Sequence, residues 1–187
     1  PPEKQQHYMQ IVSGEVRRLS RLVRNMLDIA KLQAMGVEES RKTRFDLGEE
    51  LSDVLITFEQ KIYNKHLDVR VDLPDKPVWT RAERDSITQV IYNLIDNAVK
   101  FSHPDSLIYI SSLEKHGKVF VSVKDTGEGI AKDSLNKIWE RFYKSDPSRG
   151  KDKKGTGLGL SIVKEIIQAH GENINVVSTQ GVGTEFT

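Results

Sequence analysis

The sequence predicts an α+β fold. It is a two-layer sandwich with a mixed, antiparallel-rich sheet and helices on one face, preceded by one long helix. Three patterns predict it. Apolar residues at Met9, Val12, Val16, Leu19, Val23, Met26 and Ala30 alternate steps of three and four, which is a heptad seam. Short alternating runs such as Val69-Arg70-Val71-Asp72-Leu73 are interleaved with apolar residues at helical spacing. Residues 107–114 and 118–124 flank Lys115-His116-Gly117, a hairpin signal that makes part of the sheet antiparallel.

The first helix is expected over residues 6–34 and, at 1.5 Å per residue, would be roughly 40 Å long. Leu22, Leu27, Ile29 and Leu32 widen its apolar face, while Arg17, Arg18, Arg21 and Arg24 lie mostly on the remaining face. Such a stripe needs partner helices. Packing on its own domain and self-association into a helical bundle both satisfy it, and self-association is favoured. Gly36 ends the helix, and the polar stretch 37–44 reads as a linker or hinge. Asp46 then has the character of an N-cap, with Glu49 completing a capping box. The helix behind it carries Leu47, Leu51, Val54, Leu55, Phe58 and Ile62. The strand 69–73 is closed by Pro74 and Pro77. Residues 83–101 form a helix with Ile87, Val90, Ile91, Leu94, Ile95 and Ala98 inward. After the hairpin and a Gly-, Lys- and Asp-rich region (125–155), a helix over 158–170 is stopped by Gly171. Residues 174–178 and 184–187 supply the last strands.

The 187 residues are enough for one domain, or one domain with a small extension. With 28 Lys+Arg against 27 Asp+Glu the formal charge is +1, which gives no general attraction for nucleic acid or an anionic membrane. The absence of cysteine excludes a disulfide scaffold, a thiolate metal site and a cysteine nucleophile. No apolar run approaches the roughly 18 residues of a membrane span, and the opening Pro1-Pro2-Glu3-Lys4-Gln5 has no signal-peptide character. The chain is expected to be soluble and cytoplasmic, a placement compatible with a longer parent anchored in the bacterial membrane.

Three stretches carry chemistry. In Asn93-Leu94-Ile95-Asp96-Asn97-Ala98-Val99-Lys100-Phe101, residues Asn93, Asn97 and Lys100 share one helix face. Two carboxamides and an ammonium in a row can hold a metal ion and the phosphates it bridges, although the same pattern also fits an ordinary polar face. In Asp125-Thr126-Gly127-Glu128-Gly129-Ile130, a carboxylate at a strand end can accept the exocyclic amine of adenine, with glycines letting backbone approach the ring. Gly155-Thr156-Gly157-Leu158-Gly159-Leu160-Ser161 opens a helix, so its N–H groups and positive dipole end face an anion. It lacks the lysine of a P-loop and does not follow a strand, so neither that motif nor a dinucleotide-binding turn fits.

In this order and spacing the three stretches resemble the N, G1 and G2 boxes of sensor histidine kinases, within the wider gyrase, heat-shock chaperone and mismatch-repair ATPase family. Trp139-Glu140-Arg141-Phe142-Tyr143-Lys144 resembles the F box, and Gly181-Val182-Gly183-Thr184 the closing glycine motif. The N-terminal helix is similar to the second helix of the family's dimerisation hairpin. The resemblance therefore implies a partial dimerisation helix over 1–35, a linker over 36–46 and an ATP-binding catalytic domain over 47–187.

The resemblance also implies roles. Asn97 would ligate Mg²⁺, with Asn93 and Lys100 near the phosphates and Phe101 near the nucleotide. Asp125 would read the adenine amine, with Gly127, Gly129 and Ile130 shaping that wall. Phe142, Tyr143, Gly155, Thr156, Gly157, Leu158, Gly159 and Leu160 would complete the ATP site, under a lid over 144–154. Asn93 bears on the reaction. The water-using ATPases of the wider family carry a glutamate at a similar position, and an amide cannot act as a general base near neutral pH. Phosphotransfer is therefore favoured over hydrolysis. The acceptor segment of the family, of the form His-Glu/Asp-x-x-Arg/Lys/Thr-Pro, surrounds none of His7, His66, His103, His116 or His170. These read instead as solvated or capping residues, and Trp79 and Trp139 as packing residues.

The implied function is the ATP-binding catalytic part of a sensor histidine kinase, with a response regulator as partner and a homodimer formed through the N-terminal helix. No nucleic-acid or membrane contact is expected for this stretch. The alternatives are an ATPase of the wider family, an inert dimerising adaptor, and a serine-directed kinase of the anti-sigma type. The last would leave the long heptad helix unexplained.

Overall fold

The computed structural model describes residues 2–144 and 155–187, apart from the side chains at positions 2–4, 7, 18 and 21. Helix α1 spans Pro2–Met35 and Gly36 closes it with φ +63°. A 3₁₀ turn at Glu39–Arg41 leads into β1 (Thr43–Asp46), inside the stretch read from sequence as linker. The following helix is interrupted, giving α2 (Leu47–Ile56) and α3 (Glu59–Asn64) where the apolar spacing predicts a single helix. The interruption has a local cause. The Thr57 hydroxyl donates to the Val54 carbonyl at 2.6 Å, and the Thr57 and Phe58 amides reach back only three residues, to Val54 and Leu55. The tightened turn drives Phe58 into the core, where it is 1% exposed.

Strands β2 (Asp68–Asp72) and β3 (Trp79–Ala82) precede α4 (Arg84–Phe101). The hairpin β4 (Leu107–Lys115) and β5 (Lys118–Asp125) turns at His116 and Gly117, both at positive φ, as a two-residue turn between right-twisted strands requires. Beyond the undescribed stretch come α5 (Gly159–Ala169), β6 (Val176–Thr179) and β7 (Gly183–Phe186). The main sheet has the order β2-β4-β5-β7-β6. The β2–β4 pair is parallel and the other three pairs are antiparallel, so the sheet is mixed as expected.

A second, two-stranded sheet pairs β1 with β3 antiparallel and was not legible as strands. Asp46 joins the two layers, because one carboxylate oxygen accepts both the Gly48 amide of α2's first turn and the Val78 amide beside β3, each at 3.0 Å.

The core lies between the sheet and α2, α4 and α5, with Val90, Ile91, Leu94, Ile95 and Ala98 of α4 facing Ile162, Val163 and Ile166 of α5 and Ile108, Ile110 and Val123 of the sheet. At roughly 1.5–3 kcal/mol for each large aliphatic side chain buried, this apolar layer is the main stabilising term.

Helix α1 uses two stripes differently. Ile29 is 1% exposed and, with Leu22 and Leu32, packs on the core, while Gln33 donates to Glu165 of α5 at 2.7 Å. The heptad seam from Met9 to Met26 stays outside, with Met9 68% and Leu19 64% exposed. One stripe thus packs on its own domain, while the seam on which self-association would rest is exposed in the single chain.

Candidate nucleotide-binding site

The cleft is built where the ends of α4, β5, α5 and the β6–β7 turn converge. Along α4 the apolar residues fill the core, which forces Asn93, Asn97 and Lys100 onto the opposite side, where they line one cavity with Asp96 and Phe101. The C-terminal end of α4 is fully tied down. Ala98 O accepts the Ser102 amide at 3.1 Å, and Phe101 O accepts the Glu128 amide at 3.0 Å. Lys65 Nζ donates to Val99 O at 2.8 Å, Lys100 O at 2.9 Å and Ser102 O at 3.1 Å. The last carbonyls of the helix thereby find partners, and an ammonium sits at its negative end.

Asp125 closes β5 and is 6% exposed. Burial pushes its carboxyl above the ordinary carboxylate range, against the Gly127 and Thr184 amides, which pull it down. The Gly127 amide donates to Asp125 Oδ1 at 2.9 Å. A carboxylate has acceptor capacity beyond that one bond, and burial makes a further donor from a ligand valuable.

The glycines of this turn sit where backbone crowds backbone. At Gly127 a Cβ would fall on the Phe101 carbonyl, and at Gly129 (φ +64°) on the Thr179 carbonyl. They let backbone pack on backbone, so that the end of α4, the 125–130 turn and the β6–β7 turn form one wall. The Gly181 amide donates to Glu128 O at 2.7 Å and the Ile130 amide to Ser178 Oγ at 2.8 Å, which completes that wall.

At the other end, α5 begins at Gly159 beside Asn93, whose Oδ1 would lie 3.4 Å from a Cβ on that glycine. Leu158 supplies no side-chain cap, leaving first-turn amides for an anion. Burial pushes the Lys100 ammonium below its ordinary range; the Asp96 carboxylate opposes this and the Lys144 ammonium adds to it. A bound polyanion would relieve that cost. Gly157 holds the entry, because Phe142 donates its amide to Gly157 O at 2.8 Å and a Cβ there would sit 2.8 Å from the Phe142 backbone.

Of the residues expected at the site, Asn93, Asn97, Lys100, Phe101, Asp125, Gly129, Ile130, Tyr143, Gly155, Thr156, Gly157, Gly159 and Leu160 line the cavity. Gly127, Phe142 and Leu158 do not. Gly127 backs the wall, Phe142 is about half exposed and supports Gly157 through its main chain, and Leu158 is a core residue with no exposed surface.

The sequence reading missed Asp96, Glu128, Ile138, Thr184 and Phe186 as lining residues. Asp96, Glu128 and Thr184 were legible in principle, being inside the quoted motifs, whereas Phe186 arrives only through the β5–β7 register. The lid expected over 144–154 falls, after Lys144, outside the described residues, as does the side chain of His7. Among the described residues no cluster of three His, Cys, Asp or Glu side chains is placed to hold a metal. The donor set suits a small hard cation held by the Asn97 carboxamide oxygen and completed by ligand phosphates and water.

Comparison with known proteins places the chain. Residues 82–187 match the family of histidine kinase-, DNA gyrase B- and HSP90-like ATPases. The chain is 37% identical over 185 residues to the sensor protein SrrB of Staphylococcus aureus, which covers 99% of this chain and 31% of that protein. The chain thus spans about a third of the length of the curated relatives it matches. Among solved structures it resembles full-length ShkA in complex with AMPPNP, at a TM-score of 0.82 and 28% identity over 98% of this chain and 38% of that one. It also resembles histidine kinase ThkA in complex with response regulator protein TrrA, at a TM-score of 0.74 and 28% identity over 100% of this chain and 51% of that one. The chain therefore belongs to the histidine kinase-, DNA gyrase B- and HSP90-like ATPase family.

Proposed function

We propose that this chain is the ATP-binding catalytic part of a sensor histidine kinase, presenting Mg-ATP to a histidine on a separate hairpin segment. The observation that carries this reading is the composition of the cleft: a buried carboxylate at one end, and carboxamides, an ammonium and an open helix N-terminus at the other. Adenine fits the first end through the Asp125 carboxylate, and the phosphates fit the second through Lys100 and the α5 amides. Asn97 would hold Mg²⁺ against the phosphates, the ion supplying charge neutralisation there.

Asn93 occupies the position beside the α5 N-terminus and has no proton-accepting capacity near neutral pH, so it positions and does not activate water. Phosphoryl transfer to an incoming imidazole then takes precedence over hydrolysis. The uncovered seam of α1 supports dimerisation of the parent protein through this helix, and the complex of ThkA with TrrA supports a response regulator as the next acceptor. Helix α1 supports reading 1–35 as part of a dimerisation hairpin, while the pairing of β1 with β3 attaches residues 43–46 to the catalytic domain and leaves 36–42 as the hinge. A parent anchored in the membrane is compatible with a soluble disposition of this part, in which no described helix is long and apolar enough to cross a bilayer.

The test uses γ-labelled ATP and Mg²⁺ with this chain alone and with a separately made hairpin carrying a histidine acceptor segment. Acid-labile label on the hairpin only is the expected result. Label on this chain would make His7 the acceptor, and steady phosphate release without transfer would return the water-using ATPase reading.

A further inference from the structure

His170 is the C-cap of α5, as a capping role expects, and is partly buried with both ring nitrogens engaged. Its Nδ1 lies 2.8 Å from the Ile166 carbonyl, and its Nε2 lies 3.2 Å from the Glu83 amide. A carbonyl can only accept and an amide N–H can only donate. The ring must therefore be the neutral tautomer that carries its proton on Nδ1, donating to Ile166 and accepting from Glu83. Glu83 is the N-cap residue of α4, and its side chain does not cap the helix. Instead its carboxylate takes Ser86 Oγ at 2.7 Å and pairs with Arg41. The imidazole therefore links the last turn of α5 to the first turn of α4.

Helices α4 and α5 run antiparallel, and the residue numbers give the consequence. Glu83 is bonded to His170 at one end, and Asn93 lies beside Gly159 at the other. Between them the buried side chains are aliphatic, Val90 and Ile91 on α4 and Ile162, Val163 and Ile166 on α5, in one core. Apolar packing is strong but non-directional, and one-residue sliding along a helix is only about 1.5 Å. A directional polar link is what fixes axial register in such an interface.

We propose that His170 is a positioning residue for the phosphate end of the cleft. By fixing the register of α5 on α4, it sets the distance between the α5 amides at Gly159 and the Asn93 carboxamide. It acts through main chain and helix, without touching nucleotide. The adenine end does not depend on it, because Asp125 and the 127–129 wall are carried by β5, the end of α4 and the β6–β7 turn.

The inference rests on the nucleotide-binding reading, and the experiment separates the two. ADP with Mg²⁺ and adenosine are titrated calorimetrically into the 187-residue chain and into its His170→Phe and His170→Gln variants, with thermal melting of each. The expected result is that His170→Phe weakens ADP about tenfold and leaves adenosine within about twofold, the scale of one lost hydrogen bond at one end of the site. His170→Gln, whose amide oxygen can still accept the Glu83 N–H, recovers most of the ADP affinity. If His170→Phe melts before titration, the Gln variant and its adenosine-to-ADP ratio carry the test, and a wild-type ratio is expected. Equal loss of ADP and adenosine in a folded variant would overturn the inference in favour of general destabilisation, as would unchanged ADP binding. Wild-type chain that binds neither ligand would overturn the nucleotide site itself and His170's role with it.

Discussion

The two ends of the cleft are built on opposite plans. At the end proposed to take adenine, three stretches of backbone press on one another through missing side chains, and Asp125 is nearly sealed from solvent. At the end proposed to take the phosphates, charged and polar side chains at helix termini form the lining, and charge rather than shape dominates, with Lys100, Lys144 and Asp96 around the opening of α5. Shape made from backbone is intolerant of substitution and slow to change. Charge placed on long side chains adapts to a ligand that arrives with its own cation. The comparison teaches where each kind of damage falls: changes at the first end act on folding and base selection together, whereas changes at the second act on ligand alone.

The largest effect is expected where the rigid wall is thickest. Gly129→Ala places a methyl group on the Thr179 carbonyl at a φ of +64°, so both space and backbone oppose it. A loss of about 2–4 kcal/mol in stability follows, comparable to a severe core substitution. Denaturant unfolding measures it. Adenosine and ADP affinities should fall together, and a variant that melts like the wild type would show that the wall yields.

At the phosphate end the expected damage is narrower. Asn97→Ala removes a carboxamide from an exposed-side helix position whose neighbours already pack, so melting should stay within about 0.5 kcal/mol of the wild type. The Mg²⁺-dependent part of ATP affinity should disappear, a loss of about 2 kcal/mol on the scale of polar contacts to charged groups. Titration of ATP with and without Mg²⁺ reads it directly. An unchanged Mg²⁺ dependence would remove Asn97 from the metal role.

How much of this could be read in the chain follows the same division. The convergence of the proposed phosphate-end residues on one cavity was legible because they lie in contiguous motifs: Asn93, Asn97 and Lys100 at helical spacing on α4, and the glycines opening α5. The main sheet's hairpin and the three longest helices were legible for the same local reason, hydrophobic period. The adenine wall was legible only in part. Asp125 and its glycines were identified, but their partners Phe101 O, Thr179 O and Ser178 come together through β-sheet register, which no local pattern encodes. Strands β1 and β3 were missed because Thr43-Arg44-Phe45-Asp46 and Trp79-Thr80-Arg81-Ala82 are four residues long with few buried positions, too short to display alternation. The split of α2 from α3 depends on one hydroxyl bonding backward, a competition that apolar spacing does not register.

The finest discrimination concerns Asp125, where the two plans meet in one residue. Its carboxyl is raised above the ordinary value of 3.8, chiefly by burial. A group whose folded value is raised stabilises the fold below its unfolded value, and that contribution is lost as pH rises through the folded value. At neutral pH, then, the ionised carboxylate costs the unliganded protein stability. Asp125→Asn should remove this cost, so the variant should unfold at higher denaturant than the wild type at pH 7. The gap should close as pH falls towards 3.8. The same change should weaken adenine nucleotides by about 1–2 kcal/mol, because an amide oxygen accepts a hydrogen bond less strongly than a carboxylate. GTP, with a carbonyl in place of the exocyclic amine, should bind the wild type poorly and lose little. Parallel denaturation across pH and competition between ATP and GTP test both halves. A variant less stable than wild type at pH 7 would mean that the Gly127 and Thr184 amides, and not burial, govern the carboxylate. Equal losses for ATP and GTP would mean that this end of the cleft recognises shape without reading the base.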